Sequence, residues 1–419
     1  MHRPLTATAA VFAPVAGEGP TLALVALDIG WFQYAPDELA LRAGIMERTG
    51  LGEAELLVQM SHTHAGANTN SRLEGMPGTE LIAPYLEQLT AHVSDAVLEA
   101  RSTATEAFVT FGHGRCGLAA NRDFWDVGAE RYACGYNPDG SADDTLLVAR
   151  ATDGAGRTLA TLFNYACHPT TLAWENRLLS PDYVGAAREV LERAFDSPAL
   201  FLQGASGELA PRDDYVGDPA VADRNGRQLG HAAAAAIEAL PPPGTRFAYT
   251  GIVASGANLG TWEYRPCEPG QLAAAERLEA VHTGVDLARK EDLGVVESLS
   301  SSTSDSPQER EKARRREFLR LALGEGPDHR MPLWAWRLGE ALVLAVPNEP
   351  YSVFQVELRR RFAGIPVLVL MTTNGGVGYL PPSETYGSGR YQEQQSPYAA
   401  GCLEQAIEAA AEALEPLRP

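Results

Sequence analysis

Two short apolar runs, far apart in the chain, each lead directly into a segment that carries histidine. Leu56–Met60 precedes His62 and His64, and Leu159–Phe163 precedes His168. Continuous apolar runs of this length are typical of strands that are buried on both faces. Polar groups at the ends of such strands gather at one edge of a sheet in α/β proteins, where ligands usually bind. The pattern therefore predicts two buried strands whose ends present histidine side chains.

Strand-like and helix-like segments alternate along most of the chain. Leu22–Asp28 is an apolar strand candidate, and a helix is predicted from Pro36 to Gly50. The sequence contains no internal repeat and no compositional break. It therefore predicts one α/β domain over 1–419, with mixed β-sheets flanked by helices. Further strands are predicted at 200–202, 342–346 and 366–371, and further helices at 86–97 and 184–194, after Asp218 and near Tyr351.

Charge and cysteine usage narrow the class of protein. The 419 residues carry a formal net charge of −20, whereas nucleic acids and anionic membranes need clustered Lys and Arg, so neither is an expected partner. The basic run at 310–320 is interrupted by acidic residues and is interpreted as a solvated helix face. No signal peptide and no apolar run of ~18 residues is found. Five cysteines without C-x-x-C spacing are interpreted as reduced thiols of a cytoplasmic protein.

Two later segments complete a characteristic order of motifs. Pro347-Asn348-Glu349 follows an apolar run, and a glycine-rich loop at 374–378 leads into Tyr379. With the two histidine segments, they resemble the catalytic domain of the neutral/alkaline ceramidases, zinc hydrolases that cleave the amide bond of N-acylsphingosines. The resemblance covers nearly the whole chain, and it implies the fold of that catalytic domain.

The resemblance also implies a zinc site. The family's first zinc histidine falls on His62, its second on His168, its glutamate on Glu349 and its tyrosine on Tyr379. Two histidines, a carboxylate and a phenolate would hold Zn²⁺ with little residual charge and leave a position for water. Taken singly, a histidine at a strand end is more often a hydrogen-bonded structural residue, and Glu349 and Tyr379 have equally ordinary interpretations. The occurrence of all four residues in the family's order favours a metal site over these structural interpretations.

Further residues are implied around the metal. The family's second active-site tyrosine falls on Tyr391, twelve residues after Tyr379, and its Asn-Arg pair falls on Asn121 and Arg122. Tyr391 and Arg122 are expected to donate hydrogen bonds to the developing oxyanion. Because residues i and i+2 of a strand share a face, His64 is expected to point into the same pocket as His62 and to contact substrate or shuttle a proton.

Rival motifs fail on their spacing. His64 is followed by Ala65, Gly66 and Ala67, which excludes the H-x-H-x-D-H pattern, and H-E-x-x-H is absent. Gly112–Gly114 is interpreted as a loop. Residues 204–207 lack the lysine of a phosphate-binding loop. Cys167 neighbours His168, but adjacent side chains on a strand point to opposite faces, which argues against a cysteine nucleophile.

The sequence differs from the ceramidases in features that are expected to affect which substrate is bound. The serine of the family's G-D-x-S-P-N segment is replaced by Ala210. The family's C-terminal β-sandwich and first strand have no counterpart in this sequence. Ser206 is near Ala210, and whether it replaces the lost hydroxyl is left open. Asp213 and Asp214 follow closely and are interpreted as exposed loop carboxylates.

Together these features predict a zinc-dependent hydrolase that cleaves the C–N bond of a non-peptide amide in a soluble small molecule through metal-activated water. An esterase or lactonase on the same metal site is the first alternative. The second is a protein that binds a metal or ligand on this fold without turnover.

Overall fold

The computed structural model describes residues 1–15, 19–73, 77–290 and 317–419. These residues form three larger β-sheets, four two-stranded pairings and a set of helices that cover the sheets. The predicted α/β class, with mixed sheets flanked by helices, is confirmed. Most of the basic run at 310–320 lies outside the described residues.

Each larger sheet contains one parallel pair of strands beside antiparallel neighbours. The first has the order β1 (Ala7–Phe12), β2 (Leu22–Leu27), β3 (Leu56–Met60), with β2 and β3 parallel. The second has the order β10 (Ala199–Gln203), β9 (Thr158–Tyr165), β8 (Thr145–Thr152), β4 (Phe108–Arg115), with β10 and β9 parallel. The third has the order β14 (Leu278–Ala288), β15 (Asp328–Leu338), β16 (Ala341–Ala345), β18 (Val367–Leu370), with β16 and β18 parallel.

The remaining strands pair in twos. They are β5 (Ala119–Asn121) with β11 (Leu209–Pro211), β6 (Asp123–Asp126) with β7 (Arg131–Cys134), β12 (Thr245–Ala254) with β13 (Asn258–Pro266), and β17 (Glu349–Pro350) with β19 (Tyr379–Leu380). The last pair is parallel and sets Glu349 opposite Tyr379.

A pair of helices covers the outer face of each larger sheet. Helices α1 (Ala35–Thr49) and α2 (Ile82–Ser102) pack on the first sheet, α3 (Tyr183–Phe195) and α4 (Pro219–Glu238) on the second, and α7 (Val353–Arg361) and α9 (Cys402–Leu414) on the third. Shorter helices are α5 (Pro269–Ala275), α6 (317–323) and α8 (Tyr391–Gln395), with single 3₁₀ turns at Thr79–Leu81, Ser383–Thr385 and Glu415–Leu417.

The inner faces of the three sheets meet in one shared core. Leu57 of the first sheet, Leu162 and Leu202 of the second, and Trp334 and Leu370 of the third belong to the same buried cluster. Strands between this core and the outer helices are buried on both faces, which explains their continuous apolar runs.

Buried amide side chains tie the sheets together at their strand ends. The Asn374 side chain accepts from the Val58 amide at 2.8 Å and donates to the Leu56 carbonyl at 2.9 Å, so it joins the third sheet to the first. The Asn164 amide donates to the carbonyls of Leu202 and Val369, both at 2.9 Å. The ends of the parallel strands are thereby held close together.

Most predicted elements are confirmed, and one is wrong. Gly112–Gly114 lies inside β4 rather than in a loop. The glycines are there because α4 and the residues after it pack tightly on this strand: a Cβ at Gly112 would lie 2.4 Å from Leu240 Cδ2, and one at Gly114 would lie 2.9 Å from Ala236 Cβ. Among the described helices, none is long and apolar enough to span a membrane.

Candidate metal centre

The predicted metal ligands follow the carboxyl ends of three parallel strands. His62 follows β3, His168 follows β9, and Glu349 follows β16, while Tyr379 begins the short strand that pairs beside Glu349. One predicted ligand therefore comes from each larger sheet, and the buried amides described above tie those sheets together. The structure brings these four residues together, and their role as metal ligands stays a prediction.

His62 is positioned by an unusual backbone conformation. Strand β3 ends at Met60, and His62 has a left-handed φ of 66°, so the expectation that His62 and His64 share a strand face does not describe this segment. The His62 ring faces the centre because its Nδ1 donates to the Gly30 carbonyl at 3.0 Å. A Cβ at residue 30 would lie 3.0 Å from the Thr63 carbonyl oxygen, so glycine permits this close approach.

His168 is fixed in a similar way from the segment after β10. Its Nδ1 donates to the Ser206 carbonyl at 2.7 Å, and the Leu209 carbonyl lies at 3.2 Å. Nε2 is thereby the nitrogen turned to the centre, which is the tautomer that a metal-binding histidine needs. The neighbouring Cys167 packs in the core beneath α3 and α4, where burial raises the pKa of its thiol well above the usual value.

Nitrogen and oxygen atoms converge at distances that suit a tetrahedral ion. His168 Nε2 lies 3.0 Å and His62 Nε2 lies 3.3 Å from Glu349 Oε2, and the Tyr379 hydroxyl lies 3.3 Å from His168 Nε2. Ligand atoms at ~2.0–2.1 Å from a zinc ion are ~3.3 Å apart at the corners of a tetrahedron. Although Glu349 Oε2 lies 3.3 Å away, no described residue forms a hydrogen bond with the buried His62 Nε2. The donor set therefore fits a cation.

Charge and burial oppose each other at this centre. Burial would raise the pKa of Glu349, but His62 and His168 outweigh it and hold that pKa well below its usual range. Burial and the Arg122 guanidinium lower the pKa of His168 to about 3, although Glu349 acts to raise it. Carboxylate and neutral imidazole are the forms that bind metal ions.

His64 lies at the open side of the centre. Its ring centroid is 5.0 Å from that of His62 and 5.1 Å from that of Trp31. His62, His64 and His168 can each offer a nitrogen within 4.8 Å of the others, so these three residues also form a group that could hold a metal. The His64 side chain is exposed to the pocket but enclosed by protein. This desolvation, together with His62 and His168, lowers its pKa well below the usual value.

Arg122 lies behind the centre rather than at the pocket surface. The side chain is buried and donates to the Gly207 carbonyl at 2.6 Å and to the Tyr379 hydroxyl at 3.1 Å. Burial and Glu349 raise the pKa of Tyr379 well above 10, and the Arg122 charge works against them. Arg122 therefore contacts Tyr379, a predicted ligand, and is not among the residues that line the pocket, whereas the sequence analysis expected it to donate to the oxyanion.

Tyr391 begins α8 and lines the same pocket as His62 and His64, with its ring 5.7 Å from that of Tyr379.

Sequence reasoning missed several other residues that line this pocket. Trp31 was signalled only by its position after the buried strand β2. The remaining lining residues that were missed are Gln33, Phe318, Leu319, Ala322, Gly376, Gly378 and Gln395.

The segment around Ala210, where the sequence differs from the ceramidases, contacts His168 and Arg122 through its backbone carbonyls. Ala210 is 2% exposed and Ser206 is fully buried, and neither is among the residues that line the pocket. The Ser206 hydroxyl lies 3.1 Å from His168 Nδ1, on the side away from the Nε2 cluster. The description of Asp214 as exposed is wrong: it accepts from the Thr170 hydroxyl at 3.0 Å, and burial raises its pKa to about 7.

The fold and site define an α/β protein with a candidate metal centre at converging strand ends. No family model matches the chain, and no curated protein matches its sequence. Its structure is similar to the crystal structure of neutral ceramidase from Pseudomonas aeruginosa, with a TM-score of 0.69 and 17% identity over 100% of this chain and 70% of that one. A ceramidase complexed with C2 gives a TM-score of 0.67 and 18% identity, over 100% of this chain and 71% of that one. The chain therefore has the neutral ceramidase fold.

Proposed function

We propose that the protein is a zinc-dependent hydrolase that cleaves the amide bond of a soluble, non-peptide small molecule. The observation that carries the proposal is the approach of His62, His168, Glu349 and Tyr379 to hydrogen-bonding distances at the end of a pocket. Histidine, carboxylate and phenolate ligands suit zinc. The ceramidase names of the structural neighbours support an amide as the bond that is cleaved.

The residues around the pocket supply the remaining chemistry. A bound zinc would polarise the scissile carbonyl and make water nucleophilic near neutral pH. His64 lines the pocket beside His62, so its imidazole can accept a proton from the attacking water and pass it to the leaving amine. The Tyr391 phenol donates a hydrogen bond to the carbonyl oxygen as negative charge develops on it.

Arg122 has a positioning role in this mechanism. Its guanidinium donates to the Tyr379 hydroxyl at 3.1 Å and is anchored on the Gly207 carbonyl. A fixed positive charge at this place favours the phenolate form of Tyr379, which is the form that binds zinc. In this mechanism Tyr391 donates the hydrogen bond to the oxyanion, and Arg122 does not.

The substrate is proposed to be smaller than ceramide. The methyl group of Ala210 can neither donate a hydrogen bond nor attack a carbonyl, so any step that used the family's serine is lost. Activation of water by the metal does not require that hydroxyl, so hydrolysis of a small amide remains available.

Hydrolysis of a substrate panel by purified protein tests the proposal. Zinc-loaded and chelator-treated samples are compared on N-acyl amines, matched esters, lactones and lactams. We expect amide hydrolysis that is lost with the chelator and restored by Zn²⁺. Esters or lactones cleaved without any amide cleavage would replace the proposal with the esterase or lactonase alternative. Metal binding without turnover of any compound would make the protein a non-catalytic binder.

A further inference from the structure

Helix α6 closes one side of the pocket above the candidate metal centre. Phe318, Leu319 and Ala322 lie on one face of this helix and line the pocket together with His62 and His64. The Phe318 ring packs edge-on against Tyr34, with 6.2 Å between the ring centroids. Leu319 Cδ2 lies 3.6 Å from the place where Gly378 would carry a Cβ. The helix is therefore packed against Tyr34, at the start of α1, and against the glycine-rich loop that carries Gly378.

The pocket is small and has two chemically different sides. Its volume is about 170 Å³, which is below the ~300–1,000 Å³ of pockets that enclose a drug-sized ligand. One side is an apolar wall, formed by Phe318, Leu319 and Ala322, whereas Trp31 packs against His62 and His64. The other side carries the imidazoles and phenols of the site, with the amides of Gln33 and Gln395.

We propose that this apolar wall binds the acyl side of the substrate and restricts it to short chains. The proposal rests on the hydrolase function proposed above. Hydrolysis joins the water oxygen to the carbonyl carbon and breaks the C–N bond, and the amine leaves with the proton. The amine becomes a charged ammonium that an apolar wall would disfavour, whereas the acyl chain remains apolar throughout. The acyl chain is therefore the part of the substrate that the wall suits.

Phe318 and Leu319 set the length of the chain that fits. Leu319 fills the space over Gly378, and Phe318 fills the space beside Tyr34. Truncating either side chain to alanine extends the pocket along α6 without touching His62, His168, Glu349 or Tyr379. One methylene in an apolar pocket changes kcat/KM by roughly tenfold or more, so a shift in chain length is readily measured.

The test is a series of amides of one amine, with acyl groups from acetyl to dodecanoyl. Wild type is compared with Phe318→Ala, Leu319→Ala and a matched control, Leu321→Ala, which removes an exposed leucine from the same helix. We expect wild type and the control to favour acetyl to butanoyl over octanoyl by at least tenfold in kcat/KM. Phe318→Ala and Leu319→Ala should reduce that preference about tenfold or reverse it.

A binding measurement separates this proposal from the hydrolase proposal. Calorimetric titration of the zinc-loaded proteins with acetate, butanoate and octanoate reports the size of the acyl pocket without turnover. One outcome would support the acyl pocket and contradict the hydrolase proposal. In that outcome no amide is cleaved, but acetate and butanoate bind more tightly than octanoate, and Leu319→Ala reduces the difference. Octanoyl preference in wild type overturns the acyl pocket. So does an unchanged chain-length profile in both truncation variants with zinc content and Tm preserved.

Discussion

The side of the pocket that faces the candidate metal is constructed differently from the side that faces substrate. On the metal side, His62 and His168 are at most 1% exposed, and each is anchored through Nδ1 to a backbone carbonyl. On the substrate side, His64 is exposed to the pocket, and Phe318 and Leu319 come from a short helix outside the sheets. The first side depends on strand ends and the second on connecting segments.

This difference explains how a site can keep its metal ligands while its substrate changes. The segment after β10 supports the metal side with backbone carbonyls of Ser206, Gly207 and Leu209, which accept from His168 and Arg122. A backbone carbonyl is present whatever the side chain is, so the change from serine to Ala210 leaves this support intact. Connecting segments carry no such constraint and vary more freely.

Loss of a metal-side ligand should have the largest effect. His62→Ala and His168→Ala should each remove most of the zinc, because one missing ligand leaves too few to close the coordination shell. Metal analysis should find about one zinc per chain in wild type and far less in both variants, with amide hydrolysis abolished. His113→Ala, at an exposed histidine on β4, is the control and should keep its zinc. Full zinc in both ligand variants would place the metal elsewhere.

His64→Ala should leave the metal side intact and damage only turnover. General acid–base groups contribute ~10²–10⁴-fold, so kcat should fall by at least ~10²-fold while the zinc content stays at the wild-type level. Zinc content and kcat are measured on the same preparation. Zinc lost together with activity would instead assign His64 as a ligand, in the three-histidine group with His62 and His168.

Tyr391→Phe should have a similar or smaller effect on the substrate side. The change removes one phenol donor and little volume, so kcat should fall ~10²-fold, as for other oxyanion donors. KM for a short amide and zinc content should change little. A fully active variant would show that Tyr391 is a packing residue and that the oxyanion has another donor.

Glu208→Gln tests the support behind the metal side and should have the smallest effect. Burial raises the pKa of Glu208 from 4.5 to about 7 in the folded protein, against hydrogen bonds from Ser352. The folded state then holds a proton that the unfolded state releases between these two values, so wild type loses stability as pH rises from 4.5 to 7.

Glutamine does not titrate, so the variant should gain up to about 3 kcal/mol relative to wild type across that range. Urea unfolding at about pH 5.5 and about pH 8 should show about 2 kcal/mol of this difference, because about 1.5 pH units of the range lie between them. The exposed Glu412→Gln variant controls for the loss of one charge. Parallel pH profiles for Glu208→Gln and wild type would contradict the buried, proton-binding state of Glu208.

The sequence predicted the metal side better than the substrate side, for a physical reason. Buried strands have continuous apolar runs, so β3, β9 and β16 and the polar residues after them were visible in the sequence. The left-handed φ of His62 could not be predicted from the sequence, because no local pattern indicates it. Trp31 and Phe318 reach the pocket through tertiary packing of distant segments, which local periodicity does not report.

The most direct test of the central claim is a paired assay of zinc-loaded protein with a short N-acyl amide and a fluorescent long-chain ceramide. The claim is that this fold keeps a hydrolytic metal side beside a pocket for small substrates. We predict zinc-dependent cleavage of the short amide and negligible cleavage of the ceramide. Ceramide cleavage at a rate that matches the short amide would contradict the claim, because neither Ala210 nor a pocket of about 170 Å³ would then restrict the substrate.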